Sequence, residues 1–171
     1  MLHIVLVEPE IPQNTGNIAR TCAATGSMLH LVKPLGFSLD DKYLKRAGLD
    51  YWHMMTYKVH ESFAEIEAEY PDASFWFLST KGKRNYAEVS YPKDAFLVFG
   101  RETRGLDEEL LAARYDRCVR IPMIEGARSL NLANSVAIVT YEALRQQGFA
   151  ALQKEGALHH TEVGEAWRDY I

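Results

Sequence analysis

Three short stretches of the sequence carry polar residues at spacings that could do chemistry. They are Asn14-Thr15-Gly16-Asn17-Ile18-Ala19-Arg20, Phe99-Gly100-Arg101-Glu102-Thr103-Arg104-Gly105-Leu106, and Ile121-Pro122-Met123 with the later Ser129-Leu130-Asn131. In the first, Arg20 falls about one helical turn beyond Gly16 and Asn17. A helix starting there would offer unpaired N–H groups and a partial positive charge to an anion. In the second, Gly100 leaves room for a bulky group against the backbone, and Glu102 places a carboxylate between two arginines. The third is a long loop ending at a helix start, and such loops are usually functional. Each also has a bland reading: an N-cap with an exposed Arg, a strand-to-helix turn, and a helix cap.

Several chemistries fall away on sequence alone. No Gly-x-Gly-x-x-Gly occurs, which disfavours a dinucleotide turn. Gly100 and Gly105 have P-loop spacing, but Leu106-Asp107 stands where Lys-Ser/Thr would hold phosphate and magnesium. There is no Gly-x-Ser-x-Gly elbow, and no His pair has metal-ligand spacing on a helix. His159-His160 reads as a solvated pair, and His3, His30, His53 and His60 read as strand or loop residues without an obvious partner. Cys22 and Cys118 are lone cysteines, so neither a disulfide framework nor a Cys-x-x-Cys zinc site is expected, and Cys22 reads as a buried, inert thiol. No metal is expected.

Positioning these stretches requires a regular scaffold, and the pattern supplies one. Apolar runs at 2–7, 28–32, 56–59, 74–79, 95–99 and 118–121 read as strands, several buried on both faces. Between them, helices are expected from Asn14 or Thr15 to about Thr25 with Gly26 as the stop, and over 40–47, 61–70, 106–113 and 131–147. On the second-last of the strongly patterned segments Phe63, Ile66 and Tyr70 share one face; on the last, Ala133, Val136, Ala137, Thr140, Tyr141 and Leu144 form a stripe. Prolines 9 and 12 are expected to keep the first loop from becoming helix. Strand alternating with helix gives an α/β fold, a mostly parallel sheet flanked by helices. Ligands then bind beyond the carboxyl ends of the strands, in the loops 8–17, 79–86, 100–106 and 122–131.

The chain has 171 residues, enough for one domain with a sizeable core. One domain is expected over 1–148, followed by a less patterned tail over 149–171 that is open to a further helix. No apolar run approaches the ~20 residues of a membrane span, and the opening residues lack the features of a signal peptide, so the expected location is a reducing cytoplasm. Net charge is −4, against a polybasic coat for nucleic acid, but charge is unevenly spread. Residues 61–77 hold five acids and no Lys or Arg, while 78–104 hold six bases against three acids. A local basic surface therefore stays open beside a merely solvated face.

Taken in order, the three stretches resemble the three motifs of the SPOUT superfamily of RNA methyltransferases. The opening Glu8-Pro9-Glu10-Ile11-Pro12-x-Asn14-Thr15-Gly16-Asn17, Arg46-Ala47-Gly48-Leu49-Asp50-Tyr51, Thr80-Lys81-Gly82 and Glu102-Thr103-Arg104-Gly105 bring the match to the small tRNA (cytidine/uridine-2′-O-)-methyltransferases of the TrmL type. The match covers 1 to about 148 and departs at Arg101 and in the tail. The resemblance implies a C-terminal trefoil knot and S-adenosylmethionine held near Leu78, Thr80, Gly100, Ile121, Met123, Ser129 and Leu130. It implies a homodimer in which Arg20 of one subunit faces the cofactor of the other and Tyr141 lies at the dimer surface. Arg20, Glu102 and Asn131 are the implied catalytic set, and the implied substrate is the wobble nucleotide of leucine tRNAs. Without an apparent separate RNA-binding domain, the dimer itself is the expected tRNA platform, through Asn17, Lys45, Arg46, Lys81, Lys83, Arg84, Arg101 and Arg104. A methyltransferase of this fold acting on another RNA, and a noncatalytic RNA-binding dimer, remain the alternatives.

Overall fold

The computed structural model describes residues 1–39 and 55–156. The apolar and β-branched runs form β1 (His3–Val7), β2 (Met28–Val32), β3 (Tyr57–His60), β4 (Phe75–Leu78), β5 (Arg84–Asn85), β6 (Phe96–Phe99) and β7 (Cys118–Arg120). The helices are α1 (Pro12–Thr25), α2 (Phe63–Glu69), α3 (Glu108–Ala112) and α4 (Leu132–Gln146). The described strands form one sheet in the order β3-β2-β1-β6-β4-β7-β5, with every pairing parallel. All strands therefore end on one side, and the loops of interest gather there.

Side-chain alternation along the strands builds a core on each face of the sheet. Ile4, Leu6, Leu29, Leu31, Trp76, Leu97 and Phe99 pack with Ile18, Ala19 and Cys22 of α1 and with Val136, Val139 and Ala143 of α4. Val5, Val7, Val32, Phe77, Phe96 and Val98 face the other way, toward Ile66 of α2 and Leu111 near the end of α3. Phe63 and Tyr70 join that second cluster, as their spacing with Ile66 predicts. Cys22 is fully buried, and desolvation pushes its thiol up to about 12, leaving it inert as expected.

Three expectations need correcting. First, α1 begins earlier than its polar caps suggest: Pro12 opens it, after an extended Ile11 without a side-chain cap. Proline at the first helical position gives up an N–H that has no partner there anyway, so Pro12 starts the helix instead of preventing it. The predicted stop holds, with Gly26 in the left-handed region at φ 66° and its N–H donated to the Cys22 carbonyl. Second, the segment expected to be loop at 79–86 contains β5, two residues pairing with Val119 and Arg120. Third, the strand histidines do have partners. His3 Nδ1 lies 2.9 Å from His30 Nε2, and His30 Nδ1 lies 2.9 Å from His60 Nε2. The rings cross three strands beside Tyr70 and Phe96. Burial, then the repulsion of the flanking histidines, lowers His30 to about 3.

On α4, Ala133, Val136, Thr140 and Leu144 turn inward, Val139 and Ala143 complete that face, and Tyr141 turns outward at 45% exposure. Beyond Gly148, the described residues 149–156 form no helix, and Phe149 and Leu152 pack against the same core as α4. The helix expected over 40–47, the 46–51 motif with Lys45 and Arg46, His53, and His159-His160 lie outside the described residues. Among the described residues no helix is long and apolar enough to cross a membrane.

Candidate active site

The loops after β1, β4, β6 and β7 converge at the carboxyl ends of their strands, where they line a cavity of about 610 Å³. That volume is in the range of small-molecule sites. Leu78, Thr80, Gly100, Ile121, Met123, Ser129 and Leu130, the expected cofactor residues, all line it, together with Glu102 and Asn131. Leu78, Phe99, Leu106, Ile121, Met123 and Leu130 give it apolar walls, while the turn and loop residues add polar groups.

Gly100 shapes the cavity by close approach. A Cβ there would sit 2.2 Å from the Gly105 carbonyl carbon and 2.3 Å from the Leu106 nitrogen, so only glycine lets the turn fold back on β6. The turn is closed by Gly105 N–H donating to the Arg101 carbonyl at 2.9 Å, with Gly105 in the left-handed region at φ 71°. Leu106 then drops into the core and anchors the far end.

A polar chain ties the three sequence stretches together. Glu102 Oε2 accepts from Glu10 N–H at 2.9 Å, and Oε1 accepts from Ile11 N–H at 3.2 Å and from Asn14 Nδ2 at 3.1 Å. Asn14 Oδ1 accepts from Asn131 Nδ2 at 2.9 Å. Asn131 caps α4 with its own Oδ1, which accepts from Ala133 N–H at 2.9 Å and Asn134 N–H at 3.3 Å. In the opposite direction, Glu10 accepts from the Thr103 N–H at 3.1 Å and hydroxyl at 2.9 Å. Ile11 cannot cap α1, so the Glu102 carboxylate brings negative charge to that helix start, where the helix dipole favours it. Glu102 and Asn131 are thereby fixed at the cavity wall.

The other expected site residues lie further out. Arg20 and Asn17 are on the exposed side of α1 and are not among the cavity-lining residues of the chain. Arg104 is exposed at the cavity rim, and Lys81, also on the rim, pairs with Glu108. Lys83 and Arg84 are exposed around β5, with Arg84 5.8 Å from the centroid of the Trp76 ring. Arg101 lines the cavity, but its guanidinium is paired with Glu8 and Asp107.

Sequence reasoning recognised Asn14 as part of a motif but not as the link between Glu102 and Asn131, and it gave Glu10 and Thr103 no role. The signal for Glu10 was its place between two prolines directly after a strand. Arg128 and Ser135 also line the cavity and were missed; Arg128 stands next to the Ser129 motif. Among the described residues no group of three or more His, Cys, Asp or Glu is placed to hold a metal ion.

Known proteins are similar to this chain in sequence and fold. The SpoU rRNA Methylase family model matches residues 1–141. A tRNA (cytidine(34)-2′-O)-methyltransferase of Saccharophagus degradans is 50% identical over 151 residues, covering 88% of this chain and 98% of the relative. A solved structure described as giving insights into the 2-OH methylation of C/U34 on tRNA is 49% identical, with a TM-score of 0.83, over 87% of this chain and 97% of that one. The SpoU methyltransferase AviRb of Streptomyces viridochromogenes, in complex with AdoMet, is 25% identical with a TM-score of 0.78, over 88% of this chain and 62% of that one. With its parallel sheet, its cavity at the strand ends and a family match running from β1 into α4, the chain belongs to the SpoU rRNA methylase family.

Proposed function

We propose that this chain binds S-adenosylmethionine in the cavity and transfers its methyl group to the ribose 2′-hydroxyl of nucleotide 34 of a tRNA. The finer assignment is the wobble nucleotide of leucine isoacceptors. The observation that carries the reading is the Glu102–Asn14–Asn131 chain, which joins three distant loops around one cavity lined by every expected cofactor residue. The names of the S. degradans relative and of the C/U34 structure support the tRNA position, and the AdoMet complex of AviRb supports the cofactor.

The cavity fits such a group in size and in its mixture of apolar wall and polar rim. Leu78, Thr80, Gly100, Ile121, Met123, Ser129 and Leu130 would hold it. When bound, the cofactor supplies a sulfonium methyl, already an electrophile. What the chain must add is orientation of the ribose hydroxyl and help with its proton. Asn131, fixed by Asn14 and by the start of α4, and Glu102, fixed by the β1 loop, hold the rim in one geometry. Arg20 offers guanidinium N–H donors, and its role in this reading is to bind phosphate and stabilise the developing alkoxide.

A homodimer is part of the proposal, with Arg20 of one copy completing the cavity of the other. Tyr141 and Ile138, large and exposed on α4 beside α1, support that face as the contact. The C-terminal knot belongs to the same reading. The tRNA platform would comprise Asn17, Lys81, Lys83, Arg84 and Arg104, with Lys45 and Arg46. The experiment is to incubate the protein with S-adenosylmethionine and tRNA from a strain lacking this gene, then map nucleosides by mass spectrometry. A new 2′-O-methyl at position 34 of leucine tRNAs is the expected product. Methylation elsewhere keeps the reaction and overturns the substrate; failure to bind the cofactor overturns both. Near-full activity of Arg20→Lys would rule out a bidentate role for that guanidinium.

A further inference from the structure

Among the described residues that line the cavity, Arg101 is the cation whose head group is drawn inward. Its side chain is only 14% exposed, Nη1 lies 2.9 Å from Glu8 Oε2, and Nη2 pairs with Asp107. Its Nε is buried without a hydrogen-bond partner, so the group has been taken from water for these two carboxylates. Both partners are held in unusual ways. Glu8 follows β1 with φ at 51°, a left-handed backbone that costs a non-glycine residue energy and persists only where its surroundings impose it. Asp107 stands at the N-cap of α3, where an aspartate normally accepts from the helix N–H groups, yet it makes no such bond. Its carboxylate serves Arg101 instead.

We propose that Arg101 is a positioning residue: it clamps the turn over 100–106 between the loop after β1 and the start of α3, and so holds the cavity in its binding shape. It is not a contact for RNA. The backbone agrees with the side chain, because the Arg101 carbonyl closes the turn on Gly105 while its guanidinium fixes the loops on either side. Arginine suits the task because its planar fork reaches two carboxylates at once, whereas lysine offers one point charge. The proposal rests on the reading of the cavity as a S-adenosylmethionine site.

The test compares Arg101→Met, Arg101→Lys, Glu8→Gln and Asp107→Asn with the unaltered protein in three measurements. These are the Kd for S-adenosylmethionine, the salt dependence of tRNA binding, and amide hydrogen exchange at Gly105. Arg101→Met is expected to weaken cofactor binding roughly tenfold, the scale of coupling between touching groups, and to speed exchange at Gly105. Arg101→Lys should recover part of both losses. Glu8→Gln and Asp107→Asn should reproduce part of the effect and add little when combined with Arg101→Met. The slope of log affinity against log salt should stay unchanged. A slope smaller by about one, the loss of a single phosphate contact, with cofactor Kd unaltered, would overturn the clamp in favour of RNA contact. Lowered melting temperature with unchanged Kd and unchanged Gly105 exchange would reduce Arg101 to general stability and also overturn it. If the unaltered protein binds no S-adenosylmethionine, the cofactor reading fails, and Gly105 exchange still decides the clamp.

Discussion

Replacing Glu102 by glutamine tests the central network with almost no change of shape. The carboxylate accepts three N–H bonds, one at Oε2 and two at Oε1. Glutamine has a single acceptor oxygen. In its better orientation that oxygen keeps Ile11 N–H and Asn14 Nδ2, and the new amide group faces the Glu10 N–H. One charge-assisted bond is lost, the two retained lose their charge, and two donors oppose each other. A bond to a charged group contributes about 1.5–3 kcal/mol, and partial exposure favours the lower end, so the expected loss is about 2 kcal/mol. For a domain of this size that lowers the melting temperature by about 4–8 °C. Denaturant titration supplies the free energy directly, and cofactor titration shows how much of it falls on the cavity. Asn14→Ala belongs in the same experiment, since Asn14 bonds to Glu102 and Asn131 together. The two losses should be less than additive by more than about 0.5 kcal/mol. Glu102→Gln within about 0.5 kcal/mol of the unaltered protein, or full additivity with Asn14→Ala, would refute the account of the network.

Three further outcomes follow from named contacts. His30 is held neutral in the fold down to about pH 3, whereas an unfolded histidine titrates near 6.5. The unfolded chain therefore binds more protons below about pH 6.5, and this residue's contribution to stability is lost as pH falls, about 2.5 kcal/mol between about pH 7 and 4.5. Urea titrations across that range should show a shallower pH slope in His30→Leu; identical slopes would mean that the histidine chain is not held neutral. Gly100→Ala forces a Cβ to within 2.2 Å of the Gly105 carbonyl carbon, an overpacking that costs about 1–3 kcal/mol; a denaturation midpoint equal to that of the unaltered protein would contradict it. Asn14→Asp keeps the acceptor for Asn131 but sets a second carboxylate against Glu102, so one of the pair must take up a proton. Cofactor binding by that variant should improve as pH falls, and pH-independent binding would show that the two side chains do not meet.

The sequence made the fold legible wherever burial on both faces leaves a continuous apolar run, as in Phe75–Leu78 and Phe96–Phe99. It also located the site, because ligands of a parallel α/β sheet bind beyond the carboxyl ends of its strands. What it hid depended on register. His3, His30 and His60 are separated by 27 and 30 positions and meet only because β1, β2 and β3 pair as they do. β5 is two residues long, too short for any periodicity. Arg101 looked like a surface cation because charge counting cannot see that Glu8, 93 positions earlier, comes back beside it. Pro12 misled for a local reason: proline excludes a helix interior, but it is well suited to a helix start.

The same dependence on register explains how a small domain holds a precise rim. Glu102 and Asn131 lie 88 and 117 positions from Asn14, yet one amide joins them, donating through Nδ2 and accepting through Oδ1. Neither bond is local, so neither can form until β1 and β6 are paired and α4 lies against α1. Once formed, each fixes a different element: Glu102 holds the turn after β6, and Asn131 holds the start of α4. Arg101 adds a further restraint on that turn, through Glu8 in the loop after β1 and Asp107 at the start of α3. A shift of that turn would therefore disturb the contacts of Glu102 and of Arg101 together. Those contacts border the one cavity that Gly100 and Leu130, among the described residues, both line.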